Sequence, residues 1–165
     1  QPPPATWTVK KLPVAIDIPE LLAEFGNSPT ANELDSAIGD LAVIAFYYLL
    51  RVGEYTIKGG RNESKQTVQF RLQDVTFFKK DHAGRLRQLS RFAHAQDILT
   101  ADGATLKLDN QKNGWKGVCV HQEHNGEVLS CPVRALGRRY VHIRTNTFGY
   151  ELQRKARRNA CNMCN

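Results

Sequence analysis

Hydrophobic positions are densest in residues 37–50, "AIGDLAVIAFYYLL", which end at Arg51. Leu34, Ile38, Leu41, Ala45, Tyr48 and Val52 recur at helical spacing, which predicts a long buried helix. Its start is marked by Thr30 followed three residues later by Glu33, a capping-box pattern. The helix is therefore expected from about Ala31 to about Leu50. Upstream, Pro19 opens a short helical stretch, "PELLAEFG", with Gly26 as its natural stop. Residues 1–14, with three consecutive prolines, read as extended.

Beyond the long helix the periodicity becomes twofold. Val68, Phe70 and Leu72 alternate with polar residues in "TVQFRLQDVTF", as in a half-buried strand. Residues 79–103 are polar and carry a weaker signal, with a short helix expected in "RLRQLSRFAHAQ". "ATLKLDNQKNGWKGVCVHQE" then reads as a hairpin, and its register follows from the pleat. A two-residue Asn113-Gly114 loop would put Leu106 and Leu108 on one face and Val118 and Val120 on the other. A three-residue loop, Lys112-Asn113-Gly114, pairs 106 with 120 and 108 with 118 and keeps all four together. Lys112 then lies in the loop of a stiff hairpin. Last, "SCPVRALGRRYVHIR" starts a helix at Pro132, with Val133, Leu136 and Tyr140 as its buried stripe and Arg134 and Arg138 together on an exposed face. The fold class is thus α+β and mainly helical. Its small antiparallel three-stranded sheet is expected from about 66–73, 104–111 and 117–122.

Charge sharpens this picture. Residues 1–50 carry two Lys against six acidic residues, net −4, whereas residues 51–165 carry 21 basic against ten acidic, net +11. Basic clusters of this kind release counterions on binding a polyanion. The blander alternative is a merely basic surface. The four cysteines form no disulfide framework, and "CNMC" near the end is CxxC spacing without a second ligand pair, so no metal is expected. No signal peptide is visible, and the apolar run is short for a membrane span and contains Asp40. The only Met is Met163, so the sequence reads as a segment of a longer one.

Arg51 then needs an explanation, because an arginine is expensive to bury unpaired at the end of a core helix. A core helix ending in "LLRVGEY", then a strand, then a hairpin bearing a lysine resembles the catalytic domain of tyrosine recombinases of the lambda-integrase type. "NQKNGWKG" followed by "CPVRAL" is similar to the recombinases of eukaryotic mobile elements of the DIRS and Crypton kinds. The resemblance covers roughly residues 30–145. It implies that Arg51 and Lys112 are catalytic, with Glu54 in support, and that double-stranded DNA and further recombinase protomers are partners. Lys116, Arg134, Arg138 and Arg139 are the expected DNA-binding residues, and Lys116 is also a competitor for the role of Lys112.

The chemistry accounts for these residue types. In such enzymes a tyrosine attacks a backbone phosphate without a metal or other cofactor. Charge on the transition state is then met by arginine forks, and a lysine can protonate the departing 5′ oxygen. The bland alternative for Arg51 is a helix C-cap paired with Glu54. One departure stands out: the family's downstream HxxR box and nucleophilic tyrosine are not visible. "YVHIRTN" carries His142 and Arg144 at the wrong spacing. The chain looks like the first half of a recombinase catalytic domain, truncated or decayed. Residues 1–29 would lead into the domain, 30–145 would form it, and 146–165 would be a basic tail, disordered or decayed. A nuclear location follows if the host is eukaryotic, a cytoplasmic one otherwise. Two other classes stay open: a non-catalytic DNA- or RNA-binding module, and a basic protein-interaction domain.

Overall fold

Two helices begin the fold, α1 over Asp17–Gly26 and α2 over Glu33–Tyr47. The structure, a computed structural model, describes residues 14–50, 71–108 and 117–162, with side chains to residue 147. α2 is capped by Asn32, two residues later than the Thr30 the sequence suggested. The Asn32 side chain accepts from the N–H groups of Leu34 (2.8 Å) and Asp35 (3.0 Å), and Asp35 accepts the Asn32 N–H at 3.0 Å. Asparagine outranks threonine as a cap, and the reciprocal bond from Asp35 completes the box. Glu33 is thereby freed for another partner.

α1 and α2 touch backbone to backbone. A Cβ added at Gly26 would lie 2.6 Å from the Asp35 carbonyl oxygen, and one at Gly39 would lie 2.7 Å from that of Leu22. Ser36 Oγ donates to the Gly26 carbonyl at 2.7 Å and ties the crossing. The core face of α2 is formed by Gly39, Asp40, Val43 and Ile44. Of the stripe expected to be buried, Tyr48 is fully enclosed, whereas Leu34 is 66% and Ile38 46% exposed. Spacing established the helix but not its orientation, because most of α2 is apolar all round. Val52 lies outside the described residues.

Among the described residues the sheet has four antiparallel strands in the order β2-β1-β3-β4, one more than expected. They are β1 Val75–Lys80, β2 Leu86–Gln88, β3 Gly103–Leu108 and β4 Val118–Glu123. The strand expected at 66–73 falls partly outside the described residues. Its end, Leu72–Asp74, is a 3-10 turn, and the strand proper begins at Val75. The cause is Asp74, whose carboxylate accepts the Arg71 N–H at 2.7 Å and bends the chain there. β2 occupies part of the stretch expected to be helical. Asp81 organises the turn before it by accepting the N–H groups of Ala83 (2.9 Å) and Arg85 (3.0 Å). These bonds, that of Arg85 foremost despite some desolvation, hold the Asp81 carboxyl below its usual range. The helical part of that region is α3, Ala95–Leu99.

β3 and β4 pair in the register expected: Leu106 faces Val120 and Leu108 faces Val118. Leu106 and Leu108 are buried and the two valines half-buried. The loop that would carry Lys112 lies outside the described residues. α4 opens at Pro132 with Val133, Leu136 and Tyr140 buried, as the sequence indicated. It continues to Asn162, so no break in secondary structure falls at the boundary expected after residue 145. The core is sealed by Ile44, Tyr48, Phe77, Ile98, Leu106 and Leu136, with the Tyr140 ring edge-on to Phe77 at 5.2 Å.

Candidate nucleic-acid interface

Arg51, Glu54, Lys112 and Lys116 lie outside the described residues, but the supports on either side of them are on view. α2 ends in a backbone cap. The N–H groups of Tyr48, Leu49 and Leu50 donate to the carbonyls of Ile44 (2.9 Å), Phe46 (3.4 Å) and Ala45 (2.9 Å). This is a Schellman arrangement, with Leu49 in the left-handed conformation at φ 55°. The Tyr47 carbonyl accepts from Gln122 Nε2 of β4 at 2.8 Å. The carbonyls of residues 44 to 47 thus each accept a backbone N–H or Gln122.

The same end is pinned to β3. Tyr48 is fully buried, and its hydroxyl donates to the Ala104 carbonyl at 3.3 Å. Burial, and secondarily Cys131, pushes that phenol well above its ordinary value of 10.0, so it stays a neutral donor. The end of α2 therefore contacts the β3–β4 pair at Ala104 and Gln122, while the chain enters residues 109–116 from the opposite end of that pair, at Leu108 and Val118. Gln122 gives no recombinase signal in the sequence, and only its reach back to α2 reveals its role.

The three described arginines expected to bind DNA, Arg134, Arg138 and Arg139, are engaged within the fold. Arg138 and Arg139 converge on Asp40, which is 2% exposed. Arg138 donates to Oδ1 from Nη2 (2.6 Å) and Nε (2.9 Å), and Arg139 donates to Oδ2 from Nε at 2.8 Å. Arg139 also reaches Glu33 at 2.6 Å, and His142 stands 3.3 Å from the same carboxylate. Arg134 donates to His124 Nε2 at 2.7 Å. The expectation of Arg134 and Arg138 on a shared exposed face is corrected here. A buried carboxylate needs partners on α4, and Arg138 is turned inward to supply one. The bonds of Arg138 and Arg139 occupy two of the three nitrogens of each guanidinium and leave a reduced fork for a phosphate.

Among the described residues no group of three or more His, Cys, Asp or Glu side chains is placed to hold a metal ion. Among them, too, no helix is long and apolar enough to cross a membrane. No family model, curated protein or solved structure matches the chain.

Proposed function

We propose that this chain is a DNA-binding portion of a tyrosine-type recombinase catalytic domain, with Arg51 as a phosphate ligand and Lys112 as general acid. The observation that carries this reading is the α2 terminus. The carbonyls of residues 44 to 47 accept backbone N–H groups and Gln122, so the helix end depends less on Arg51 as a cap. The observed Leu106–Val120 and Leu108–Val118 pairs agree with the register from which the sequence reading puts Lys112 in the loop. Arg138 and Arg139 serve mainly to build this scaffold. The test is fluorescence anisotropy with a labelled duplex over a range of KCl concentrations. Weak, sequence-tolerant binding is expected, falling linearly on a log–log scale as salt rises, with Arg51→Ala and Lys112→Ala each reducing it. Absence of binding at low salt would sink the proposal.

A second reading, a basic protein-interaction domain, has its own observation. Ile18, Leu21 and Phe25 form an exposed apolar stripe along α1, and Leu21 and Phe25 are 62% and 60% exposed. That reading predicts no salt-dependent duplex binding.

A further inference from the structure

A cavity of about 580 Å³ opens on the far side of β1 from β3, between β1, the 89–92 loop and α4. It is within the size range of small-molecule sites. We propose that it binds a nucleoside monophosphate unit, as a free nucleotide or as an unstacked terminal nucleotide of a DNA strand. This assignment stands independently of the recombinase reading.

Charge is the first argument. Among the described residues lining the cavity none is acidic, while Arg71, Arg91 and Arg144 all face it. Arg71 is already engaged by Asp74 at 3.3 Å, so it is a rim charge and not the main ligand. Arg144 donates from Nη1 to the carbonyls of Ala93 (2.9 Å) and Arg91 (3.3 Å). Those bonds fix the loop and use one nitrogen, leaving the Nε and Nη2 donors of a preorganised fork uncommitted. The Arg91 guanidinium has no hydrogen bond or ion pair to any described residue. Two guanidiniums beside a cavity free of carboxylate match a phosphate, which accepts charge-assisted bonds from both.

Shape supplies the second argument. Phe77 and Tyr140, both buried, give the cavity an aromatic lining, and the Tyr140 hydroxyl donates to the Arg91 carbonyl at 3.4 Å. At the mouth Phe92 is 77% exposed. Phe92 lines the same cavity as Arg91 and Arg144 and offers an exposed ring on which a planar base can stack. Gln88, on the same wall, brings an amide whose donor and acceptor match a base edge. Phosphate recognition, a platform and an amide in one cavity describe a nucleotide better than a bare anion.

The test is calorimetric titration of the full chain with 5′-dAMP, deoxyadenosine and inorganic phosphate. 5′-dAMP is expected to bind about tenfold or more tightly than either part alone. Arg91→Gln and Phe92→Ala should each weaken it about tenfold with an unchanged circular-dichroism melt, since both side chains are exposed. Competition by a short single strand then identifies the source. Displacement by the 5′-phosphorylated strand but not by its 5′-hydroxyl form assigns a strand end, and displacement by neither assigns the free nucleotide. No heat with millimolar 5′-dAMP, equal binding of inorganic phosphate, or unaltered affinity in both variants would overturn the assignment.

Discussion

Leu49 sits at φ 55°, the only non-glycine residue with positive φ among those described. A β-carbon in that conformation costs about 1–2 kcal/mol, which the two bonds of the helix cap offset. Its side chain is 79% exposed and so returns little burial. Leu49→Gly should therefore stabilise the protein by about 0.5 kcal/mol, after the greater flexibility of glycine in the unfolded chain is counted. Urea unfolding measures this, and a loss of stability would show that the leucine side chain matters to the turn. Glu33 offers a pH test. Its hydrogen bond from Arg139, with the charges of Arg139 and His142, holds the carboxyl below its ordinary 4.5 despite slight desolvation. A lowered carboxylate pKa gives stability that is present above the unfolded value and lost as pH falls through the folded one. Glu33→Gln should therefore melt below the wild type at neutral pH, and the gap should close as pH falls through the lowered carboxyl value. A gap that persists in acid would mean that the carboxylate charge is not what matters.

At the scale of elements, the helix pair is the most exacting contact. Gly39→Ala places a methyl 2.7 Å from a backbone carbonyl that has no flexible side chain to move aside. Separating α1 from α2 should cost about 2 kcal/mol, read as a lower urea midpoint. A neutral result would mean that α1 adapts without loss. Much of this level was legible beforehand. Pro132 and the Leu106–Val120 register follow from local rules, and Gly26 is the last residue of α1, although that helix opens at Asp17 and not at Pro19. The failures share a cause as well. The start of β1, the existence of β2 and the turn of Leu34 toward water depend on what packs across the chain. Asp74 bends the backbone before Val75, Asp81 folds the β1–β2 turn, and Asp40 draws α4 onto one side of α2. None of these carboxylates differs in sequence from an ordinary surface residue.

For the whole molecule, the +11 balance beyond residue 50 overstates the free positive surface. Arg138 and Arg139 are neutralised internally by Asp40 and Glu33, and Arg85 and Arg87 both pair with Asp81. This is why the basic segment could be read in the sequence while its available charge could not. Strand cleavage is not expected. Tyr48 is enclosed and Tyr140 is 6% exposed with its hydroxyl bonded to the Arg91 carbonyl, so neither is presented to a phosphate. A nicked suicide duplex incubated with the purified chain should give no protein–DNA adduct on a denaturing gel. An adduct abolished by Tyr140→Phe or Tyr150→Phe would refute this.

The ion pair between Asp40 and Arg138 joins residues 98 positions apart. During synthesis at roughly 5–20 residues per second, Asp40 emerges from the ribosome roughly 5–20 s before its partner. Throughout that wait the carboxylate must stay hydrated, which keeps the inner face of α2 wet and unable to close. Folding of this chain is accordingly timed by the arrival of α4, and a nascent chain halted before Arg138 would keep the α1–α2 pair exposed to chaperones and proteases.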